Sequence, residues 1–279
     1  MVFLLILISL HASLITVSST DTPKRIVSVA PNITEILFEL GVDDRLVGVS
    51  SFCDYPEAAK QKSKIGGLSN PSLEAVVSLK PDMVFLTHDG NPQAFEERLR
   101  SMKIRTVVIQ ARKISDLPRG IRQVGAVVGA TEKAEFLAVN IEKRINVFVE
   151  RQRISPGLAK PAKKQKVLFI IWPDPLIVAG PGTTTDEALT LLGLDNIAAQ
   201  TSTAYPKYSI EEILRQAPDL IFIGKGNGMD KVADGLLRRL KTVPAVRNGR
   251  VFYVSDYLYR LGPRTMNGVD ELATHLKKP

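Results

Sequence analysis

Few residues in this chain are of a type and spacing that could make or break bonds. Cys53 is the only cysteine, so no intramolecular disulfide can form, and a nucleophilic thiol would need a nearby histidine that the sequence scarcely offers. Cys53 is expected to be a small, partly buried residue near a loop. Of the three histidines, His11 lies in the first apolar run and His275 near the C-terminus, which leaves His88. A zinc or manganese site needs several histidine and carboxylate ligands, so a bare metal ion ranks low as a ligand. There is no Gly-x-Ser-x-Gly elbow, no Walker loop and no His-Glu-x-x-His pair, and an enzyme reading ranks last. Gly180-Pro-Gly182 before Thr184 could seat an anion at a helix N-terminus, although a turn feeding a capped helix is the simpler meaning. What remains are two carboxylates, Glu74 and Glu211, each two residues after a serine, and loop aromatics such as Tyr55, Trp172, Tyr257 and Tyr259. A carboxylate in the first turn of a helix is favoured by the helix dipole by about 0.3–1 kcal/mol, and aromatic residues in loops often cap a core.

Those glutamates sit inside a repeat. Ser72-Leu-Glu-Ala-Val-Val-Ser-Leu-Lys-Pro-Asp-Met-Val-Phe-Leu86 recurs as Ser209-Ile-Glu-Glu-Ile-Leu-Arg-Gln-Ala-Pro-Asp-Leu-Ile-Phe-Ile223, with an offset of 211 − 74 = 137 residues. Each copy reads as a short helix opened by a serine cap, halted before Pro81 or Pro218, then a buried strand. Upstream, Thr34-Glu-Ile-Leu-Phe-Glu-Leu-Gly41 is echoed by Asp186-Glu-Ala-Leu-Thr-Leu-Leu-Gly193. The order of the two blocks is the same, so a whole α/β unit is duplicated. Two copies are too few for a solenoid. Two lobes with a cleft between them follow, and clefts between domains are where small ligands bind.

The elements around these blocks alternate. Strands are expected at residues 25–30, 46–49, 106–110, 167–171, 220–223 and 251–254, with helices between them. Asn32-x-x-Glu35 and Thr184-x-x-Glu187 read as capping boxes, Glu212 as the capping-box partner of Ser209, and Asn91-Pro92 as a helix start with proline in the first turn. From Thr131 to about Arg153, apolar residues at Ala134, Leu137, Ala138, Ile141, Ile145, Phe148 and Val149 form a helical stripe. That helix is roughly 35 Å long, enough to cross from lobe to lobe as a stiff spine that limits closure. The expected fold class is therefore α/β: two duplicated lobes with mainly parallel sheets flanked by helices, joined by one long spine helix. The segments are 1–19 (signal peptide), 25–115 (N-terminal lobe), 116–160 (inter-lobe spine and linker) and 166–279 (C-terminal lobe).

With 279 residues, 44% of them hydrophobic and 24% charged, the chain can bury substantial cores, and global disorder is excluded. A net charge of +8 would suit a nucleic-acid binder only with one basic face and a recognisable module. Neither is visible, and some of the excess sits in a solvated connector at Lys160 to Lys166. An anionic ligand or partner stays open. Residues 2–10 are apolar and small or polar residues follow through Thr20, which is signal-peptide length and short of a membrane span, although no Lys or Arg precedes the run. Cleavage near Ser18 or Ser19 and a periplasmic, monomeric product are expected; an uncleaved anchor is the competing reading.

From Arg25 to the C-terminal helix the chain resembles the helical-backbone (class III) substrate-binding proteins of ABC importers, and within them the corrinoid-binding branch that takes up vitamin B12. The resemblance rests on Arg25-Ile-Val-Ser-Val-Ala-Pro-Asn-Ile-Thr-Glu35, Gly48-Val-Ser-Ser-Phe-Cys-Asp-Tyr-Pro56, Leu73-Glu74 leading to Lys80-Pro-Asp82, and Ser255-Asp-Tyr-Leu-Tyr-Arg260 with Gly262-Pro-Arg264. It implies a receptor without catalytic residues, cofactor or resident metal, which hands a cobalamin or cobinamide to a permease dimer. It further implies that the corrinoid lies against aromatic side chains, with matching positions at Phe52, Leu68, Thr87, Tyr205, Asp256 and Arg260. Phe52 and Tyr205 keep the aromatic character and Asp256 and Arg260 the polar pair, whereas Leu68 and Thr87 stand where that branch carries tryptophan. Trp172, at the end of the second lobe's first strand, could compensate from a cleft wall, and His88 and Tyr257 are further candidate contacts. By the same resemblance Glu74 and Glu211 dock onto the permease. The departures at Leu68 and Thr87 keep a ferric siderophore or haem receptor open, with Arg260, Arg264 and Lys225 facing an anionic ligand.

Overall fold

The computed structural model describes residues 22–88, 90–154, 164–225 and 229–276, so the expected signal peptide and the start of the basic connector lie outside the described residues. The first sheet holds β1 (Ile26–Ser28), β2 (Leu46–Val49), β3 (Ser63–Lys64), β4 (Met83–Thr87) and β5 (Arg105–Ile109), all parallel, in the order β3-β2-β1-β4-β5. Helices α1 (Pro31–Glu39), α2 (Leu73–Ser78) and α3 (Gln93–Ser101) connect them. Two further helices, α4 (Leu117–Val128) and α5 (Thr131–Ile154), lead to the second lobe. There β6 (Lys166–Pro173), β7 (Leu176–Val178), β8 (Asp195–Asn196), β9 (Leu220–Gly224) and β10 (Val251–Val254) run in the order β10-β9-β6-β7, with β8 also on β6 and only β7 antiparallel. Helices α6 (Thr184–Leu191), α7 (Ile210–Gln216), α8 (Met229–Arg239), α9 (Pro244–Arg247) and α10 (Thr265–Leu276) complete it. The strands β1, β4 and β9 are buried at every position, as sheets covered on both faces require.

The repeated sequence blocks have a physical meaning. Ser72 and Ser209 cap α2 and α7 by accepting from the Ala75 and Glu212 amides at 3.2 and 3.0 Å. After each helix the residue before the proline turns left-handed, Lys80 at φ 47° and Ala217 at φ 50°, again 217 − 80 = 137 residues apart. Two non-glycine residues held in that conformation at matching places point to one inherited turn. The aspartate after each proline then fastens the start of the central strand: Asp82 accepts from the Lys24 and Arg25 amides at 2.8 and 3.0 Å, and Asp219 from the Lys166 amide at 2.9 Å. Basic side chains close the helix ends, Arg25 on the Leu79 carbonyl and Lys166 on the Gln216 carbonyl.

Four expected caps are corrected. Helix α1 begins at Pro31 after Ala30, and neither Asn32 nor Glu35 caps it, because Glu35 turns inward to an ion pair with Arg264. Thr183, not Thr184, caps α6, and Glu187 reaches across the lobes to accept from the Ser115 amide at 3.1 Å. Glu212 binds Arg215 and Gln216 instead of returning to Ser209. Pro92 is the cap of α3, not its first residue, and the Asn91 side chain is bonded to the Thr87 amide and the Leu68 carbonyl.

The spine helix α5 packs along α4, where Arg122 clamps Glu135 and Glu142. Its later turns reach the second lobe, through Gln152 donating to the Thr190 and Leu191 carbonyls at 2.6 and 2.7 Å and Arg144 pairing with Asp270 at 2.6 Å. One apolar core runs through both lobes, joining Ile26 and Phe85 to Phe169 and Phe222 by way of Ala138 and Ile141. No glycine or proline interrupts α5 to serve as a kink. Free and ligand-loaded forms should therefore differ by a small lobe rotation. Small-angle scattering checks this, and a large contraction on loading would contradict it.

Candidate functional site

A cavity of about 350 Å³ lies between the lobes over the carboxyl ends of the strands, where open α/β sheets place their ligands. Ala30 follows β1, Thr87 ends β4 and Ala111 follows β5, so three parallel strands deliver one wall. The second lobe contributes Thr184, Tyr205, Tyr259 and Arg260. A wider chamber of about 880 Å³ adjoins it and shares Leu68, Arg112, Tyr205 and Tyr259. Phe52, Leu68, Thr87, Tyr205 and Arg260 are brought together on the narrower cavity, and His88 stands on the wider chamber. Phe52 is 58% exposed and Tyr205 54%, so an aromatic side chain from each lobe is left uncovered toward the same space.

The folding of each loop explains these positions. Phe52 rides on a turn pinned by Cys53, whose fully buried thiol contacts the Thr34 and Ser50 hydroxyls at 3.1 and 3.4 Å. Burial pushes that thiol's pKa up, so Cys53 is an anchor and not a nucleophile. Asn91 accepts from the Thr87 amide at 2.8 Å and donates to the Leu68 carbonyl at 2.7 Å, which ties the two residues at one corner. Gly90, at φ 101°, leaves room there for the Leu68 side chain, 2.7 Å from where a Cβ would stand. The Tyr205 loop lies over Gly180, where a Cβ would sit 2.5 Å from the Thr203 carbonyl. Gly182 donates to Asp186 at 3.0 Å, so this turn feeds a capped helix.

Arg260 crosses the cleft to Asp54, with both carboxylate oxygens engaged, and its Nε reaches Asp256 at 2.9 Å. The guanidinium holds the Asp54 carboxyl below its ordinary range. Deeper in, Arg264 meets Glu35 in a second two-pronged pair, with Nε to Oε2 at 2.9 Å. Its guanidinium carbon lies 3.8 Å from the ring centre of Tyr55 and 5.0 Å from that of Tyr257. Burial raises the Glu35 carboxyl, and the arginine opposes that. The lobes are thus strapped by charge on the floor of the cleft.

Several expected contacts stand elsewhere. Trp172 lies outside both chambers, on the β6 to β7 hairpin opposite Ile177, where its indole donates to the Asp174 carbonyl at 2.6 Å and its side chain is 40% exposed. The strand runs two residues beyond its expected end and carries the indole past the cleft wall. Tyr257 packs on Arg264, Asp256 acts through Arg260, and Arg264 is engaged by Glu35, so none of the three lines the cavity. Lys225 lies outside it too. Tyr259, one of the loop aromatics, lines the cleft, as do Asn32 and Arg112, which the sequence alone did not mark for it, and Asp54 positions Arg260. The signal for Arg112 was its place just past the carboxyl end of a parallel strand. Tyr259 takes its place because Gly224 has no side chain: a Cβ there would fall 1.5 Å from the tyrosine oxygen. Among the described residues no cluster of three or more His, Cys, Asp or Glu could hold a metal ion, and no helix is long and apolar enough to cross a membrane.

The sequence profile described as periplasmic binding protein matches residues 26–258. The chain belongs to the periplasmic binding protein family. Among relatives of this periplasmic binding protein is the vitamin B12-binding protein of Pectobacterium atrosepticum, 27% identical over 256 residues, which cover 91% of this chain and 88% of that one. The crystal structure of the periplasmic vitamin B12-binding protein BtuF of Vibrio cholerae superposes with a TM-score of 0.80 at 27% identity, over 91% of this chain and 97% of that one. The apo periplasmic heme-binding protein RhuT of Roseiflexus sp. RS-1 matches as well, with a TM-score of 0.80, 28% identity, and coverage of 90% and 97%. The helical-backbone, class III architecture is therefore shown, and relatives with two ligand chemistries stand at equal distance.

Proposed function

We propose that this periplasmic binding protein is an exported, non-catalytic receptor that captures a corrinoid, cobalamin or cobinamide, in the inter-lobe cleft and delivers it to an ABC permease dimer. The observation that carries this reading is the pair Phe52 and Tyr205, uncovered on opposite lobes of one cavity. A flat macrocycle offers two large apolar faces, and rigid aromatic side chains cover them at little entropic cost. Arg260 arrives at the wall with its charge balanced by Asp54 and Asp256, an arrangement suited to the amide side chains of a corrinoid. A haem receptor is the second reading, favoured by Arg112 on the cavity wall and by the likeness to RhuT. Titration calorimetry with cobalamin, cobinamide, haem and a ferric siderophore tests the choice. Saturable binding of a corrinoid is expected; corrinoid inert while haem or siderophore saturates would transfer the assignment.

Glu74 and Glu211 are exposed in the first turns of α2 and α7, at matching places of the two lobes, which suits them to meet basic residues of two permease subunits. Reversing both to lysine should leave ligand affinity unchanged and sharply reduce uptake in a reconstituted importer, because each favourable charge contact becomes a repulsive one. Added salt should weaken the wild-type complex. Normal uptake by a normally folded double variant would remove the docking role.

A further inference from the structure

Asp54 follows Phe52 by two residues on the loop after β2, yet its side chain lines neither chamber and instead meets Arg260 of the other lobe. It engages both terminal nitrogens of that guanidinium, with Nη2 to Oδ2 at 3.1 Å, while Nε is taken by Asp256 at 2.9 Å. The forked edge is the one that a carboxylate of a ligand would need for a two-pronged pair. Asp54 already fills it, and Arg260 keeps the Asp54 carboxyl ionised by holding its pKa down. A guanidinium has five N–H donors, so with three of them directed to protein carboxylates Arg260 has only single donors left for the narrower cavity that it lines. A neutral carbonyl accepts such a bond without penalty. A ligand carboxylate in the same place would lie beside two carboxylates, and like charges brought together at an interface are costly.

We infer that Asp54 is a positioning residue that sets ligand specificity through Arg260: it reserves that side chain for a neutral carbonyl acceptor, such as an amide on the rim of a macrocycle, and keeps a carboxylate from seating there. The inference rests on the macrocycle reading above and adds the chemistry of the substituent that meets Arg260. Asp54 does this without touching the ligand. Cyanocobalamin and its propionic monoacids, in each of which one rim amide has become a carboxylate, are matched ligands that differ in this group alone. Haem dimethyl ester and haem form the corresponding porphyrin pair.

The test is the ratio of affinities within the matched set that the full mature protein binds, measured by titration calorimetry. The wild type should favour the uncharged ligand over its carboxylate counterpart, for at least one monoacid or for haem, by about tenfold, the net worth of one hydrogen bond. In Asp54→Asn, which keeps the shape of the side chain and removes its charge, that preference should shrink toward parity. The conservative variant Asp54→Glu should retain it. Glu57→Gln removes the same charge three residues further along, from an exposed carboxylate paired with Lys60, and should leave the ratio unmoved. A displaced loop would weaken every ligand alike and leave the ratio where it was. A wild-type ratio near one in every comparison, a ratio unmoved by Asp54→Asn, or an equal shift in Glu57→Gln overturns the role of Asp54 and leaves the macrocycle reading standing. Failure of all these compounds to bind overturns both.

Discussion

Arg264→Ala is expected to lower the midpoint of thermal unfolding by roughly 10 °C at neutral pH, from a loss of about 3–5 kcal/mol when one partner of a buried pair is removed. Glu35 is only 2% exposed, so without the guanidinium its carboxylate loses its hydrogen-bonded counter-charge with little water to replace it, and only the field of Arg260 is left to oppose its burial. The rings of Tyr55 and Tyr257 lose the cation between them as well. The sign with pH follows from the burial that already raises the Glu35 carboxyl. A carboxyl whose folded-state pKa lies above its unfolded value favours the protonated folded form, so the variant should regain stability as pH falls through that raised value. Replacing both residues by leucine should recover most of the loss, since apolar packing often matches a buried ion pair. Calorimetric melts across pH check this; an unchanged midpoint for Arg264→Ala at neutral pH would show that the strap carries no stability.

Phe52→Ala and Tyr205→Ala should each weaken macrocycle binding by roughly thirtyfold, because covering one ring with the ligand stabilises the complex by about 2 kcal/mol. Both rings are more than half exposed in the free protein, at 58% and 54%, so neither substitution should shift the melting midpoint. A stability loss with affinity intact would reverse the assignment of these residues. Titration calorimetry of the single and double variants, beside their melts, separates the two outcomes.

The fold was legible where physics acts locally. The serine caps, the helix ends before Pro81 and Pro218 and the continuous apolar strands are set by neighbours in sequence, and the duplication repeated each of them. The errors came from groups whose partners are distant. Glu35 stands three residues after Asn32, as a capping box would have it, but its partner Arg264 lies 264 − 35 = 229 residues away. Trp172 stood in the right strand, yet the length of β6 and its pairing with β7 carried it out of the cleft. Five of the positions carried by the resemblance converge on one cavity, whereas Asp54 became visible only when loops from two lobes met. Ion pairs across a cleft leave no periodicity to read.

The most direct measurement is the visible absorption spectrum of the protein after incubation with a corrinoid or haem and removal of free ligand by gel filtration. Our account predicts that the wild-type peak retains the bands of a metal macrocycle in a fixed ratio to protein, and that the Phe52→Ala, Tyr205→Ala double variant elutes colourless. A colourless wild-type peak after both incubations, from protein whose melt shows it folded, would contradict it.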